Sequence, residues 1–168
     1  ASGGQGSVSH LSAALLFNKA GIEVGHVPYR GNAPALVDVM GGHTKVAFGS
    51  VTSSIAHIRS GKLRPLGVGG AKRSGALPEV PTVAEGGLPG YQAANWIGLV
   101  APAGTPDAIV ARLHQEISAI QDSPEMQKIF EADGADVVRM SPAEFGEFSA
   151  SEVVKWGRVV KERGIQAQ

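Results

Sequence analysis

The first ten residues combine a glycine-rich stretch with serine and histidine side chains. Gly3, Gly4 and Gly6 precede Ser7 in this 168-residue chain. Because glycine lets the backbone bend tightly, this stretch predicts a loop, and Ser7 is a good N-cap for a helix over Val8–Ala20. A loop that opens into a helix leaves unpaired N–H groups at the positive end of the helix dipole, which attracts an anion. The sequence therefore predicts an anion-binding loop over residues 2–7.

Gly49 and Ser50 repeat this design farther along the chain. They follow a short apolar segment, Lys45–Phe48, and Ser50 is the predicted N-cap of a helix over Val51–Ser60. Loops that follow parallel strands lie at one edge of the sheet, where ligands bind in open α/β folds. The candidate ligand-binding residues from these loops and the neighbouring strand end are Ser2, Gly3, Gly6, Ser7, His10, Tyr29, Gly49 and Ser50.

Ser7 and His10 also have the residue types of a nucleophile and its base. Helix geometry forces residues three apart to lie close together, and no nearby acidic residue is placed to orient the imidazole. A capping role for Ser7 and a packed or cleft-lining role for His10 explain the pair better. No catalytic residue is therefore assigned, and the chain is not expected to be an enzyme.

Several other chemistries are disfavoured by what the sequence lacks. The third glycine of a dinucleotide fingerprint is replaced by Ser9, and no phosphate-binding loop motif is present. Cysteine is absent, which excludes disulfides and thiolate ligands, and the histidines His26, His43, His57 and His114 lack metal-ligand spacing. The net charge is zero, which argues against a nucleic-acid partner. We predict neither a metal nor a cofactor.

The predicted elements alternate helix with short apolar segments, which indicates parallel βαβ units and an α/β fold. The predicted strands are His26–Tyr29, Lys45–Phe48, Leu63–Val68, Trp96–Ala101 and Asp136–Val138. Asn32 is the predicted N-cap of the second helix. Residues 71–95 are rich in proline and glycine and predict a turn-rich crossing, so the domain boundary is placed between residues 92 and 93.

The last part of the chain is predicted to be helical. Its helices are expected to begin at Thr105-Pro106, Ser123-Pro124 and Ser141-Pro142, where an N-cap precedes proline at the first helical position. Ser141 and Glu144 have the spacing of a capping box, and Gly164 is expected to end the final helix. Trp96 and Trp156 fall in apolar patterns and are predicted to be core residues.

Motifs spread over nearly the whole chain resemble those of the Bug-type solute receptors of tripartite tricarboxylate transporters. They are Ser2–Ser7 with His10-Leu11, Val27–Gly31, Gly61–Arg64, Leu77–Thr82, Gly87–Tyr91 and Ala101–Pro106. The resemblance implies a type II periplasmic-binding-protein-like architecture, in which two lobes close like a Venus flytrap on a small organic anion such as a di- or tricarboxylate. It also implies a periplasmic, monomeric protein that delivers its ligand to the permease subunits of a membrane transporter.

The resemblance further implies that residues 1–92 are most of the second lobe and residues 93–168 are the C-terminal part of the first. The signal peptide and the N-terminal lobe of the family are then absent from this chain. The ligand loops of the family fall on Ser2–Ser7 and on the turn after Phe48.

One departure from the family concerns the charge at the cleft. The family often has acidic residues where Lys45 and Gly49 stand. Losing an acid removes a partner for a ligand ammonium group, so we predict a preference for carboxylates without an amine. Two other functions stay open: a ligand receptor for a membrane sensor in signalling, and a small-molecule hydrolase that uses Ser7 and His10.

Overall fold

A computed structural model describes residues 1–165, and this part of the chain forms six helices. They are α1 (Val8–Ala20), α2 (Asn32–Met40), α3 (Val51–Arg59), α4 (Asp107–Asp122), α5 (Pro124–Asp133) and α6 (Pro142–Arg163). None of these helices is long and apolar enough to cross a membrane.

The prediction of five regular strands is wrong. Residues 1–165 contain only isolated β-bridges. One parallel bridge joins Ser2 to Pro28 and another joins Val68 to Thr82. Residues 1 and 2 lie between the segments 27–29 and 46–48 and are hydrogen-bonded to both. The other predicted strands, Trp96–Ala101 and Asp136–Val138, are extended segments without ladder partners in the described residues.

The hydrogen bonds of residues 1 and 2 nevertheless fix a parallel arrangement. The Ala1 nitrogen donates to Val46 O at 2.7 Å, and Phe48 N donates to Ala1 O at 3.0 Å. On the other side, Ser2 N donates to Val27 O at 3.2 Å and Tyr29 N donates to Ser2 O at 3.0 Å. Because the three segments run in the same direction, the loops that follow them lie at the same edge. We call this the loop edge.

Most of the predicted helix starts are confirmed. Ser7, Ser50 and Ser123 cap α1, α3 and α5, and Ser141 forms the predicted capping box with Glu144 at the start of α6. In each case the serine oxygen accepts from an amide three residues ahead, a bond that depends on local sequence alone.

Two predicted caps are wrong. Gly31, at φ 114°, occupies the cap position of α2, and Asn32 is the first helical residue. At α4, Pro106 is the cap residue and Asp107 begins the helix. The Thr105 hydroxyl instead donates to Pro102 O at 2.8 Å, which closes the preceding turn.

The first 93 residues are joined by a small core and by bonds across the turn-rich crossing. Ile55 of α3 packs with Val68, Leu77 and Val80. The crossing is fastened at its end, where Ala93 N donates to Gly69 O at 2.8 Å. The Tyr91 hydroxyl donates to Ser12 O at 3.0 Å, and burial raises the pKa of this phenol to about 12.

Residues after the crossing are anchored to α6 by an aromatic cluster around Glu152. Trp96 meets Phe145 and Phe148 edge to face, with ring centroids 5.6 and 5.4 Å apart. The Glu152 carboxylate accepts from the indole nitrogens of Trp96 at 3.2 Å and Trp156 at 2.9 Å and pairs with Lys155. Burial acts to raise the pKa of Glu152, but hydrogen bonds from Lys155 and Trp156 outweigh it, and the pKa is lowered. Both tryptophans were predicted to be core residues. The prediction is wrong in that each of them remains partly exposed.

Replacing Glu152 with alanine tests this cluster. The change leaves two indole N–H groups and the Lys155 ammonium without their shared acceptor, and we expect it to lower the free energy of unfolding by about 1–3 kcal/mol. Urea denaturation followed by tryptophan fluorescence measures the loss. Glu147→Ala, on an exposed position of the same helix, should change stability by less than about 0.5 kcal/mol. Equal losses in the two variants would contradict the assignment.

Candidate functional site

The loop over residues 2–7 is held in shape by its own side chains. Ser2 is fully buried, and its hydroxyl lies 2.6 Å from His26 Nε2 and 3.3 Å from both the nitrogen and the oxygen of Gly4. Gly3 N donates to Ser9 Oγ at 2.9 Å. The Ser2 hydroxyl and the Gly3 amide, both predicted to bind the ligand, are therefore already hydrogen-bonded within the protein.

Ser7 and His10 close the other end of the loop. The Ser7 hydroxyl donates to Gly4 O at 2.7 Å and accepts from His10 N at 3.3 Å. The His10 ring, which is only 8% exposed, accepts from Gly6 N at Nδ1 over 3.1 Å. The imidazole therefore faces the loop backbone, and the contacts of Ser7 are those of a helix cap.

The amide donors of the loop are not those that the sequence predicted. Gly6 N is bonded to His10 and Ser7 N donates to Gly4 O at 3.2 Å, so neither is free to meet a ligand. The first amides of α1, those of Val8 and Ser9, find no acceptor within residues 1–165. Such first-turn amides have no partner inside a helix and carry the positive end of its dipole.

The loop at Gly49-Ser50 offers the same arrangement at α3. Ser50 Oγ accepts from Ser53 N at 3.2 Å, while the hydroxyls of Ser53 and Ser54 each donate to Ser50 O at 2.9 Å. In the described part of the chain, the amides of Val51 and Thr52 likewise meet no acceptor. Since this loop follows the segment 46–48, its free amides lie at the loop edge with those of α1.

The Tyr29 hydroxyl is already engaged by another side chain. The Tyr29 hydroxyl donates to Asp38 of α2 in a short hydrogen bond, which raises the pKa of the phenol and lowers that of the carboxyl. The other Asp38 oxygen lies 3.4 Å from His43 Nδ1. Tyr29 therefore joins the loop edge through its backbone, and its hydroxyl ties that segment to α2.

Sequence reasoning missed His26, which stacks on His10. The two ring centroids are 3.8 Å apart and the ring planes differ by 1°. Burial lowers the pKa of His10, and burial followed by the charge of His10 lowers that of His26. The two histidines are 16 residues apart, with most of α1 between them. No regular helix or strand spacing brings such residues together, so nothing in the sequence indicated this contact.

Lys45 lies away from the loop edge. With His43 and Arg163 it lines an open hollow of about 760 Å³ beside Phe17 and Ile22. Lys45 comes before the segment 46–48 and Gly49 comes after it, so they mark opposite ends of that segment. Gly49 therefore stays a candidate for the ligand site, and Lys45 lies at the other end of the segment. Within residues 1–165 no group of three or more potential ligands is placed to hold a metal ion.

Two glycines at the loop edge make a matched test of its geometry. A Cβ on Gly3 would lie 2.6 Å from Asn32 Oδ1 and 3.3 Å from Asn32 N, whereas a Cβ on Gly49 would meet nothing nearer than 3.4 Å. We expect Gly3→Ala to lower the free energy of unfolding by about 1–3 kcal/mol. Gly49→Ala should change it by less than about 0.5 kcal/mol. Denaturant titration of both variants measures the difference, and a tolerated Gly3→Ala would contradict the tight approach of the loop to α2.

Comparison with known proteins identifies the relatives of this chain. The sequence profile of the tripartite tricarboxylate transporter family receptor matches residues 1–165. A UPF0065 protein from the tcbD-tcbE intergenic region of Pseudomonas sp. (strain P51) is 38% identical over 99% of this chain and 50% of its own length.

Two solved structures share the fold. The Rhodopseudomonas palustris protein Rpa4515 with adipate superposes with a TM-score of 0.82 at 36% identity, over 95% of this chain and 54% of that one. The periplasmic binding protein BugD gives a TM-score of 0.79 at 30% identity, over 97% of this chain and 55% of that one.

These likenesses confirm the predicted periplasmic-binding-protein-like α/β fold. The chain spans about half the length of these relatives. The family profile covers all of the described residues, and the curated relative is 38% identical over 99% of this chain; this chain therefore belongs to the receptor family of the tripartite tricarboxylate transporters.

Proposed function

We propose that the protein carrying this chain is a periplasmic solute-binding receptor that captures a small organic carboxylate at the loop edge. One observation carries the proposal: two serine-capped helix starts follow parallel segments at one edge and leave the amides of Val8, Ser9, Val51 and Thr52 without acceptors. Amides at helix starts are donors suited to an anion, and the helix dipole favours negative charge there.

Ser7 and Ser50 serve this site as helix caps. Each oxygen accepts from the third amide of its helix, which leaves the first two amides for the ligand. Gly6 and Gly49 are exposed and add no side chain in front of these amides. His10 and Ser2 act behind the loop and shape it, and Tyr29 fastens the neighbouring segment.

Two lobes would close over the bound anion. Residues 1–92 form most of one lobe and residues 93–168 contribute to the other, although 166–168 lie outside the described residues. Ala93 is still bonded to Gly69, whereas Trp96 is anchored to α6, which supports a change of lobe close to this boundary, between residues 93 and 96. Closure would exclude water and strengthen the amide contacts.

The family favours transport over the two alternatives. A member of this receptor family would deliver its ligand, as a monomer, to the permease subunits of a tripartite transporter. A signalling receptor would use the same binding chemistry, so co-purification with permease subunits or with a membrane sensor separates these two roles. A hydrolase is not favoured, since Ser7 Oγ is occupied as a cap and the His10 ring bonds to Gly6.

A proline substitution tests the free amide of α1 directly. Ser7 has φ −65° and ψ 160°, the conformation that proline requires before it, and the Ser123-Pro124 and Ser141-Pro142 starts show the same geometry. Val8→Pro should therefore retain the fold but remove one donor, weakening adipate binding by about 1.5–3 kcal/mol, or roughly tenfold or more.

Calorimetric titration of the whole protein with adipate measures this loss. Val8→Ala changes the side chain but keeps the amide, and it should bind adipate like the unaltered protein. Equal affinities for the proline and alanine variants would contradict the role of the amide, and failure of the unaltered protein to bind any dicarboxylate would contradict the receptor proposal.

Ligand selectivity tests the missing acid at Gly49. Without a carboxylate at this position, the ammonium group of an amino acid loses its water shell and gains no partner, so succinate should bind more tightly than aspartate by about tenfold or more. Gly49→Asp should narrow the difference. Competition titrations on the whole protein measure both effects, and a clear preference for aspartate in the unaltered protein would overturn the prediction.

A further inference from the structure

We propose that His10 and His26 hold the loop over residues 2–7 as a neutral stacked pair, and that protonation of the pair releases the loop and weakens binding of the carboxylate. The effect on the ligand rests on the function proposed above. The effect on the loop does not depend on it.

Each ring of the pair is bonded to a different end of the loop. His10 Nδ1 accepts from Gly6 N at 3.1 Å, at the turn before α1. His26 Nε2 lies 2.6 Å from the hydroxyl of Ser2, at the start of the loop. With their centroids 3.8 Å apart and their planes parallel within 1°, the two rings form one support beneath both ends.

The hydrogen bond from Gly6 requires a neutral His10. A ring that accepts at Nδ1 carries its proton on Nε2, so the next proton must bind at Nδ1. That proton turns the acceptor into a donor facing the Gly6 N–H group, and the bond is lost. Protonation of His26 as well would place two positive charges on stacked rings, which repel each other.

The surroundings of the pair resist protonation. The ionisable side chains lining the hollow beside it are those of Glu23, His43, Lys45 and Arg163, of which only Glu23 is acidic. The segment 46–48 against which Ala1 lies adds no ionisable side chain. The pKa directions agree with this, since burial lowers the pKa of both imidazoles and the charge of His10 lowers that of His26 further.

The lowered pKa values fix the sign of the pH effect on stability. The unfolded chain binds a proton near the ordinary histidine pKa of about 6.5, while the folded chain binds it only at lower pH. Between these values the unfolded state holds more protons, so the free energy of unfolding falls as the pH decreases. Above about pH 6.5 the two histidines are neutral in both the folded and the unfolded chain, and their contribution to the free energy of unfolding no longer changes with pH.

Nuclear magnetic resonance of the whole protein without ligand tests the loop directly. At pH 7.5 we expect His10 to be neutral with its proton on Nε2. On acidification to pH 4.5, the Gly6 amide resonance should shift with the same midpoint as His10, below about 6.5. A Gly6 amide that does not follow His10, or a His10 midpoint at or above that value, would overturn the proposal.

Matched variants separate titration from packing. His10→Asn keeps an acceptor near the position of Nδ1 but cannot be protonated, so its Gly6 amide should not shift over this range. His114→Asn removes a histidine on α4 instead, and the shift of the Gly6 amide should persist. Should His10→Asn fail to fold, the unaltered protein still tests the coupling: the His26 midpoint should lie below that of His10, because the charge of His10 lowers the pKa of His26; a His26 midpoint at or above that of His10 would contradict coupling between the rings.

Adipate titration at two pH values tests the consequence for the ligand. From pH 7.5 to pH 5.0 adipate takes up protons itself, so the loop is tested by the excess over His10→Asn: affinity in the unaltered protein and in His114→Asn should fall about tenfold further, which corresponds to about 1.4 kcal/mol. In His10→Asn the fall should be much smaller. A loop that titrates as expected in a protein that never binds adipate would leave the loop assignment standing and count against the proposed function.

Discussion

The position of residues 1 and 2 between the segments 27–29 and 46–48 determines how the rest of the chain is arranged. The backbone groups of Ala1 and Ser2 are bonded alternately to the two sides, and every bond has the parallel sense. This direction brings the starts of α1 and α3 to one edge. It also buries Ser2, whose hydroxyl then has His26 and Gly4 as its partners.

Close approach of two glycines brings α2 to the same edge. Gly31 N donates to Gly3 O at 3.0 Å, and Asn32 leaves no room for a side chain on Gly3. Gly31 adopts φ 114°, a backbone conformation that residues with a Cβ rarely reach. The two positions favour glycine for different reasons: a side chain on Gly3 would crowd Asn32, whereas Gly31 has open space but a backbone conformation that disfavours a Cβ.

Features that depend on neighbouring residues could be predicted from the sequence, and features that depend on distant contacts could not. The caps at Ser7, Ser50, Ser123 and Ser141 were correct because each bond spans three residues. Thr105 was assigned wrongly because its hydroxyl had a competing acceptor in the preceding turn, at Pro102 O. Two of the apolar segments, 27–29 and 46–48, run parallel as predicted, but residues 1–165 contain isolated bridges and no regular strand.

In the candidate site, too, local features could be predicted from the sequence and distant contacts could not. Sequence reasoning located the loop edge through its glycines and serines, but it assigned the ligand to the amides of Gly6 and Ser7, which the fold uses internally. The Gly6 amide is bonded internally because His10 lies beneath the loop, and His26 lies beneath Ser2. These contacts depend on the register of residues 1 and 2, which the sequence does not show.

A loop whose own polar groups are satisfied loses little freedom when an anion arrives, because its shape is already fixed. Its remaining donors are then few, rigid and directed outward from the helix starts. Binding energy is not spent on ordering the loop, which favours affinity from a small number of contacts. Because the loop is fixed by its internal hydrogen bonds, it depends on a neutral His10. The acceptor of the Gly6 amide is His10 Nδ1, and a proton on this nitrogen would remove it.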